Sequence, residues 1–108
     1  METAIQDIKT TKAAEKDYKK LEKNYRDLLD KEYKTIIKQG STKGIYIKHL
    51  KNEIFEIITG DLRSLFAFEN GDLIVIAVIF IKKSQKTPKH LIERALNIIK
   101  KWEKENDK

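Results

Sequence analysis

The feature that most constrains the fold is an unbroken run of nine apolar residues from Leu73 to Ile81. A helix needs about 20 apolar residues to cross a membrane, so this run belongs inside a folded domain. A run without alternating polar positions is typical of a central strand whose two faces are both covered. Asn70 and Gly71 stand just before it and accept the positive φ of a tight turn, which favours a β-hairpin. The sequence therefore predicts a sheet that is buried between other elements.

A two-residue loop at Asn70 and Gly71 also predicts which side chains share a face of that sheet. It pairs Arg63 on the first strand with Val78 on the second. Since side chains alternate with a period of two along a strand, we expect Arg63 and Lys82 on one face and Lys83 on the other.

Helical periodicity dominates the first third of the chain. Between residues 12 and 39, apolar residues recur at steps of three and four, and Gly40 provides the stop. One straight helix of that length would measure about 40 Å. Because a compact domain of this size is only about 26 Å across, we expect a helical hairpin that bends near residues 30–32.

The end of the chain predicts a second helical region. Thr87-Pro88 supplies an N-cap and a first helical residue for a helix over 88–105. Short β-prone runs occupy residues 45–82. The pattern as a whole predicts one α+β domain over 1–108. In it, the N-terminal helical hairpin (12–39) and the C-terminal helix pack on a small, mainly antiparallel sheet of three to five strands.

The net charge of +6 is concentrated in the last quarter of the chain. Residues 82–108 carry nine basic and four acidic side chains, a net charge of +5. This excess favours a polyanion or an acidic protein as partner, and a solvated helix face with a charged tail is the alternative interpretation. The absence of cysteine removes disulfides, thiolate catalysis and cysteine-based zinc sites. No spacing of His, Asp and Glu suggests a metal site.

The first residues lack the basic and apolar segments of a signal peptide. We therefore expect a cytoplasmic protein with no membrane partner.

Arg63 is a basic residue that the pattern places within an apolar strand. An arginine there must find a carboxylate, a phosphate or the rim of the sheet. It is either an edge arginine paired with Asp61 or Glu56, or a phosphate-binding arginine on an open concave face. Of the two histidines, His90 falls in the first turn of the last helix and is expected to face solvent. His49, at a strand end, is a conceivable proton-transfer group.

The segment KKSQKTPK at residues 82–89, followed by IERA at 92–95, closely resembles the C-terminal signature of HigB-like toxins. These toxins belong to the RelE/ParE superfamily of type II toxin–antitoxin systems, in a phage-derived branch. Three upstream runs are similar to strands of the same family, at residues 46–50, 53–57 and 62–66. The resemblance covers residues 44–97 and departs from the family at Ile58, where a second arginine is usual.

The resemblance implies a RelE-like fold and a ribosome-dependent mRNA endonuclease. The partners it implies are the ribosome, mRNA and a helix-turn-helix, HigA-like antitoxin encoded beside the toxin, in a higher-order hetero-oligomer. The implied reaction is attack of an RNA 2′-OH on its own 3′-phosphate, with no metal and no other cofactor.

The resemblance also implies roles for individual residues. Arg63 would stabilise the transition-state phosphate, and Lys82 occupies the position of another functional residue of the family. Lys48 would contact phosphate or assist proton transfer, and His49 is an acid/base candidate. The implied RNA-backbone contacts come from four further lysines, Lys83, Lys86, Lys89 and Lys43.

Two alternatives to the nuclease remain open. One is a RelE-fold toxin or interaction protein without nuclease activity, which acts by binding a protein or a nucleic acid. The other is a structural or phage-encoded interaction module. The discriminating feature is whether Arg63, Lys82 and Lys48 converge over an open surface, or whether Arg63 is held by Asp61 or Glu56 under the C-terminal helix.

Overall fold

The computed structural model describes residues 2–106, and its elements follow the periodicities of the sequence. In chain order they are β1 (Asp7–Thr10), α1 (Lys12–Lys19), α2 (Lys23–Gln39), β2 (Ile47–Lys51), β3 (Ile54–Thr59), β4 (Leu62–Glu69), β5 (Leu73–Ile81) and α3 (Lys89–Asn106). The predicted α+β class is confirmed. None of the three helices in the described part of the chain combines the length and the hydrophobicity that a bilayer crossing requires.

The sheet has five strands in the order β1-β5-β4-β3-β2, and only the β1–β5 pair is parallel. Strand β5 lies between β1 and β4, with α1 packed on one face and α3 on the other. Its side chains alternate accordingly, Ile74 and Ile76 entering one core cluster and Val75 the other. The prediction of a central strand covered on both faces is therefore confirmed.

Strand β1 is an edge strand that the sequence pattern did not reveal. Only Ile8 of its four residues is an apolar side chain packed against the core. Four residues with one apolar contact leave too weak an alternation to detect. Beyond the end of β1, the Asp17 carboxylate of α1 accepts a hydrogen bond from Ile79 N at 3.0 Å. This part of the β5 backbone therefore keeps a hydrogen-bond partner.

The N-terminal helices form the expected pair, but they break at residues 20–22 and not near 30–32. At the break, Lys20 N and Leu21 N donate to carbonyls three residues back, which tightens the last turn of α1. Leu21 turns into the core, and the Tyr18 hydroxyl donates to Asp30 on α2 at 2.6 Å. The spacing of Tyr18, Leu21 and Tyr25 is continuous with a helix, so periodicity alone could not locate this break.

The β4–β5 hairpin has a three-residue loop, so the predicted two-residue loop is wrong. Glu69 pairs with Leu73, which leaves Asn70, Gly71 and Asp72 in the turn. The Asp72 carbonyl accepts a hydrogen bond from the amide of Gln6, just before β1, at 2.7 Å. Because the loop has one residue more than predicted, the pairing of β4 with β5 near the turn is shifted by one residue.

A bulge in β5 then adds a second one-residue shift in the same direction. Leu65 pairs with Val78 while Phe66 pairs with Ile76, so Ala77 is the extra residue. Beyond the bulge Arg63 pairs with Phe80, not with Val78 as predicted. The bulge restores the original facing, so Arg63 still projects to the side of the sheet on which α3 packs, here called the α3 face.

The start of α3 differs from the prediction by one residue. Ile92 N donates to Pro88 O at 3.3 Å, so Pro88 supplies the first helical acceptor and stands at the cap position. The Thr87 hydroxyl, predicted to cap the helix, donates instead to the Glu56 carboxylate at 2.7 Å. The Thr87 hydroxyl is therefore bonded to a residue distant in the sequence and not to the first turn of α3.

Candidate nucleic-acid interface

Arg63 lies in a row of side chains that crosses the sheet on the α3 face. Ile58 on β3 and Phe80 on β5 are its direct cross-strand neighbours, and both are half-buried. Ile58 N donates to Tyr46 O at 2.9 Å, so Tyr46 continues the row at the edge of the sheet, just before β2. The apolar Ile58 therefore stands directly beside Arg63, where the family resemblance leads one to expect a second cation.

The guanidinium of Arg63 is held by the protein itself. Nη1 donates to Gly60 O at 2.6 Å and to Leu62 O at 2.9 Å. Nε lies 3.9 Å from the Glu56 carboxylate and is buried without a hydrogen bond. Only 12% of the Arg63 side chain and 1% of the Glu56 side chain are exposed. Of the two partners expected from the sequence, the structure selects Glu56.

One part of the guanidinium remains available. Among the residues that the structure describes, Nη2 of Arg63 has no hydrogen-bond partner, and it is not among the buried unsatisfied atoms. Nη2 therefore faces solvent. An anion that approaches Arg63 meets this nitrogen, with the positive charge already partly neutralised by Glu56.

Glu56 also connects the sheet to the segment that precedes α3. Its Oε1 accepts the Thr87 hydroxyl and is the same oxygen that faces Arg63 Nε. A fully buried carboxylate requires such partners, because an unpaired buried charge is costly. A charged residue within the apolar run of β3 was the sequence signal for this contact, although the identity of Thr87 as a partner was not visible in it.

Lys82 and Lys48 share the α3 face with Arg63 at different distances. Lys82 follows β5, its amide donating to Asp61 O at 2.8 Å, and alternation beyond Phe80 places it on this face. Sheet geometry puts its Cα about 8 Å from that of Arg63. Lys48 lies on β2, where it pairs with Glu56 of β3 and is exposed. Its Cα is about 12 Å from that of Arg63. The structure thus groups Arg63 with Lys82 and leaves Lys48 at the rim.

The segment between β5 and α3 presents further positive charge to solvent. Lys83 and Lys86 on it are exposed, and so is Lys89, the first residue of α3. Ser84 Oγ donates to Lys86 O at 2.9 Å, and Thr87 ties the far end to Glu56. This arrangement fits an electrostatic surface for a polyanion, since exposed ammonium groups on one segment neutralise several phosphates at once.

The other predicted site residues lie apart from this group. His49 pairs with Phe55 on the opposite face of the sheet, where the two rings lie 4.9 Å apart between centroids. Its Nε2 is 2.6 Å from Asn52 O. Lys43 is exposed in the turn after α2, and His90 is exposed at the start of α3. His49 therefore does not face the Arg63 row.

Three carboxylates form a second cluster that the sequence did not reveal. Oxygens of Glu53, Glu69 and Glu103 lie within 4.8 Å of one another, and these are the described residues that could hold a metal ion. Burial and the neighbouring Glu103 raise the pKa of Glu53, while a hydrogen bond with Glu69 and burial raise the pKa of Glu103. Glu69 ends β4 and Arg63 begins it, about 20 Å apart along the strand. The three-carboxylate cluster is thus separate from Arg63 and Lys82.

Comparisons with known proteins agree with this architecture. The family model described as phage derived protein Gp49-like matches residues 8–100. No curated protein matches the sequence. A chain in the crystal structure of the toxin–antitoxin complex RelBE2 from Mycobacterium tuberculosis is similar, with a TM-score of 0.60 and 15% sequence identity. The match covers 76% of this chain and 94% of that chain. At this identity the likeness concerns the fold, which is RelE-like.

Proposed function

We propose, because the chain belongs to the phage-derived Gp49-like family, that it is the toxin of a type II toxin–antitoxin system and that its target is RNA. Within that family it would represent the HigB-like branch. The observation that carries the proposal is the grouping of Arg63, Lys82 and the exposed lysines after β5 on and beside one face of the sheet. The RelE-like neighbour in a toxin–antitoxin complex supports the same assignment.

The mechanism we propose is cleavage of mRNA on the ribosome without a metal. The 2′-hydroxyl gives up its proton as its oxygen attacks the adjacent phosphorus, the bond to the 5′-oxygen breaks, and the leaving 5′-oxygen takes up a proton, so a 2′,3′-cyclic phosphate and a 5′-hydroxyl result. Nη2 of Arg63 and the ammonium of Lys82 would stabilise the negative charge that develops on the phosphorane. Lys48 would contact phosphate or relay a proton at the rim, and the lysines at positions 83, 86, 89 and 43 would hold the backbone.

Binding without cleavage is the second candidate, and specific observations favour it. Glu56 neutralises part of the Arg63 charge, Ile58 stands in place of a second cation, and His49 lies on the opposite face. Each of these three features takes a charged or proton-transferring group away from the reacting phosphate. Losing one transition-state donor costs about 3 kcal/mol. On this reading the cationic face recognises RNA or another acidic target and blocks it.

The remaining partners follow from the toxin assignment. We propose a HigA-like helix-turn-helix antitoxin that neutralises the chain in a higher-order hetero-oligomer. The ribosome is the proposed site of action, which places the protein in the cytoplasm.

The test is controlled expression in a bacterium followed by mapping of RNA ends. We expect growth arrest with a fall in translation, and new 5′-hydroxyl ends within coding sequences if the chain cleaves. Arg63→Ala should relieve the arrest, whereas Arg94→Ala, a matched charge loss on the exposed surface of α3, should not. Arrest without new ends selects the binding mechanism, and growth unaffected by the wild-type chain contradicts the toxin assignment.

A further inference from the structure

Tyr46 is the most exposed large hydrophobic side chain of the described residues, with 77% of its surface accessible. Its main chain is nevertheless well fixed. The Tyr46 carbonyl is paired with Ile58 N, and both flanking residues, Ile45 and Ile47, pack against the core on the opposite face. Alternation therefore directs the Tyr46 ring onto the α3 face. The exposed ring is thus presented beside the sheet from a main chain that is fixed by the Ile58 hydrogen bond and by its two packed neighbours.

The surroundings of the ring are cationic. Lys48 follows two residues later on the same face and is exposed, and Lys43 is exposed in the preceding turn. Across the row, Arg63 lies two strands away, about 10 Å between Cα atoms. The carboxylate that is paired with Arg63, that of Glu56, is only 1% exposed and is shielded by Arg63 and Thr87. A ligand that reaches Tyr46 therefore meets a planar ring bordered by positive charge.

We propose that Tyr46 is a stacking platform for one unpaired RNA base, whose phosphate is held by the neighbouring cations of the α3 face, Lys48 and Arg63. The inference rests on the proposed RNA target and adds to it the position at which a base is contacted. The charge pattern favours RNA over an acidic peptide, because stacking uses the whole face of the ring while the backbone phosphate reaches the adjacent cations. Tyr46 is thus a binding and positioning residue, and it takes no part in proton transfer.

The platform should show little discrimination among bases. Every base has a π-face, and modest preferences arise from stacking strength and not from hydrogen bonding. Removal of the ring is expected to weaken binding about tenfold, since stacking contributes about 1–3 kcal/mol per base. A phenylalanine at the same position should retain the affinity because it retains the ring.

The test uses the full chain and a short mRNA oligonucleotide, both free and bound to bacterial ribosomes. Affinity is measured for wild type, Tyr46→Ala and Tyr46→Phe, with Leu28→Ala as the control for an exposed apolar residue on the other side of the protein. A series of oligonucleotides, each with a single abasic position, reports the base contact. We expect one abasic position to weaken wild-type binding about tenfold and to have no effect on Tyr46→Ala.

The outcomes separate this inference from the proposed function. If wild type binds RNA with the usual salt dependence and Tyr46→Ala binds equally well, the platform is wrong and the RNA target stands. If wild type binds neither free nor ribosome-bound mRNA, both are wrong. If Tyr46→Ala retains RNA affinity but loses an antitoxin or another protein, the ring belongs to a protein interface and the inference is overturned.

Discussion

Loss of Arg63 should destabilise the fold as well as remove a positive charge. The Glu56 carboxylate is 1% exposed and faces Arg63 Nε at 3.9 Å, so an alanine at position 63 leaves a buried charge with only Thr87 as partner. Breaking a buried ion pair by removing one partner costs about 3–5 kcal/mol. We expect about 3 kcal/mol here, because Nε makes no direct hydrogen bond and Glu56 keeps the Thr87 hydroxyl.

The complementary variant should have a smaller effect. In Glu56→Gln the amide oxygen still accepts from Thr87, and Arg63 keeps its two carbonyl acceptors. We expect a loss of about 1–2 kcal/mol, below the cost of breaking a buried ion pair by removing one partner, because Arg63 keeps those acceptors. In the double variant no charge is left buried alone, so its free energy of unfolding should exceed the additive value by about 1–2 kcal/mol.

Urea unfolding followed by circular dichroism measures all four proteins of this cycle. The reasoning is refuted if Arg63→Ala is as stable as wild type, or if the two effects add to within about 0.5 kcal/mol. The result matters for function, because domains of this kind have a total stability of only about 5–15 kcal/mol. A harmless Arg63→Ala protein is therefore evidence about RNA only if circular dichroism shows that it is still folded at the temperature of the growth assay.

Two further predictions concern the acidic cluster and the lysine segment. A hydrogen bond with Glu69 and burial raise the pKa of Glu103 in the folded protein. Its protonated form therefore stabilises the fold in acid, and this contribution is lost as the pH rises through the folded-state pKa. Glu103→Gln should therefore raise the free energy of unfolding at neutral pH by less than about 1 kcal/mol for a partly exposed group, and the gain should vanish below a pH of about 4; an equal gain at both pH values would contradict it. Lys83→Glu/Lys86→Glu should weaken RNA binding and reduce the slope of log affinity against log salt by about 1.4, measured by a salt titration in which an unchanged slope would exclude both lysines from the interface.

The parts of the fold that the sequence predicted are those that local physics determines. The apolar run of β5 and the glycine at position 40, with a φ of 70°, each constrain a few neighbouring residues strongly. Long-range compensation was not predictable. The three-residue loop moved the register by one, and the bulge at Ala77 moved it by one more in the same direction, so Arg63 reached its predicted face through two deviations that no local signal marked. Facing was therefore right while the pairing was wrong.

The candidate site follows the same division. The prediction placed Arg63 and Lys82 on one face correctly because the loop and the bulge together shift the register by two residues, which leaves the alternation unchanged. The partner of Arg63 depends on side-chain reach, and Glu56 was selected over Asp61 because it is buried in the same face and needs a cation. That choice has a chemical consequence. With Nε facing a carboxylate and Nη1 donating to two carbonyls, only Nη2 can meet an incoming phosphate. A single charged donor can bind a phosphate but orients it poorly compared with a bidentate pair. The proposed cleavage therefore requires a second cation at the phosphate, and Lys82 is the neighbour that the sheet provides.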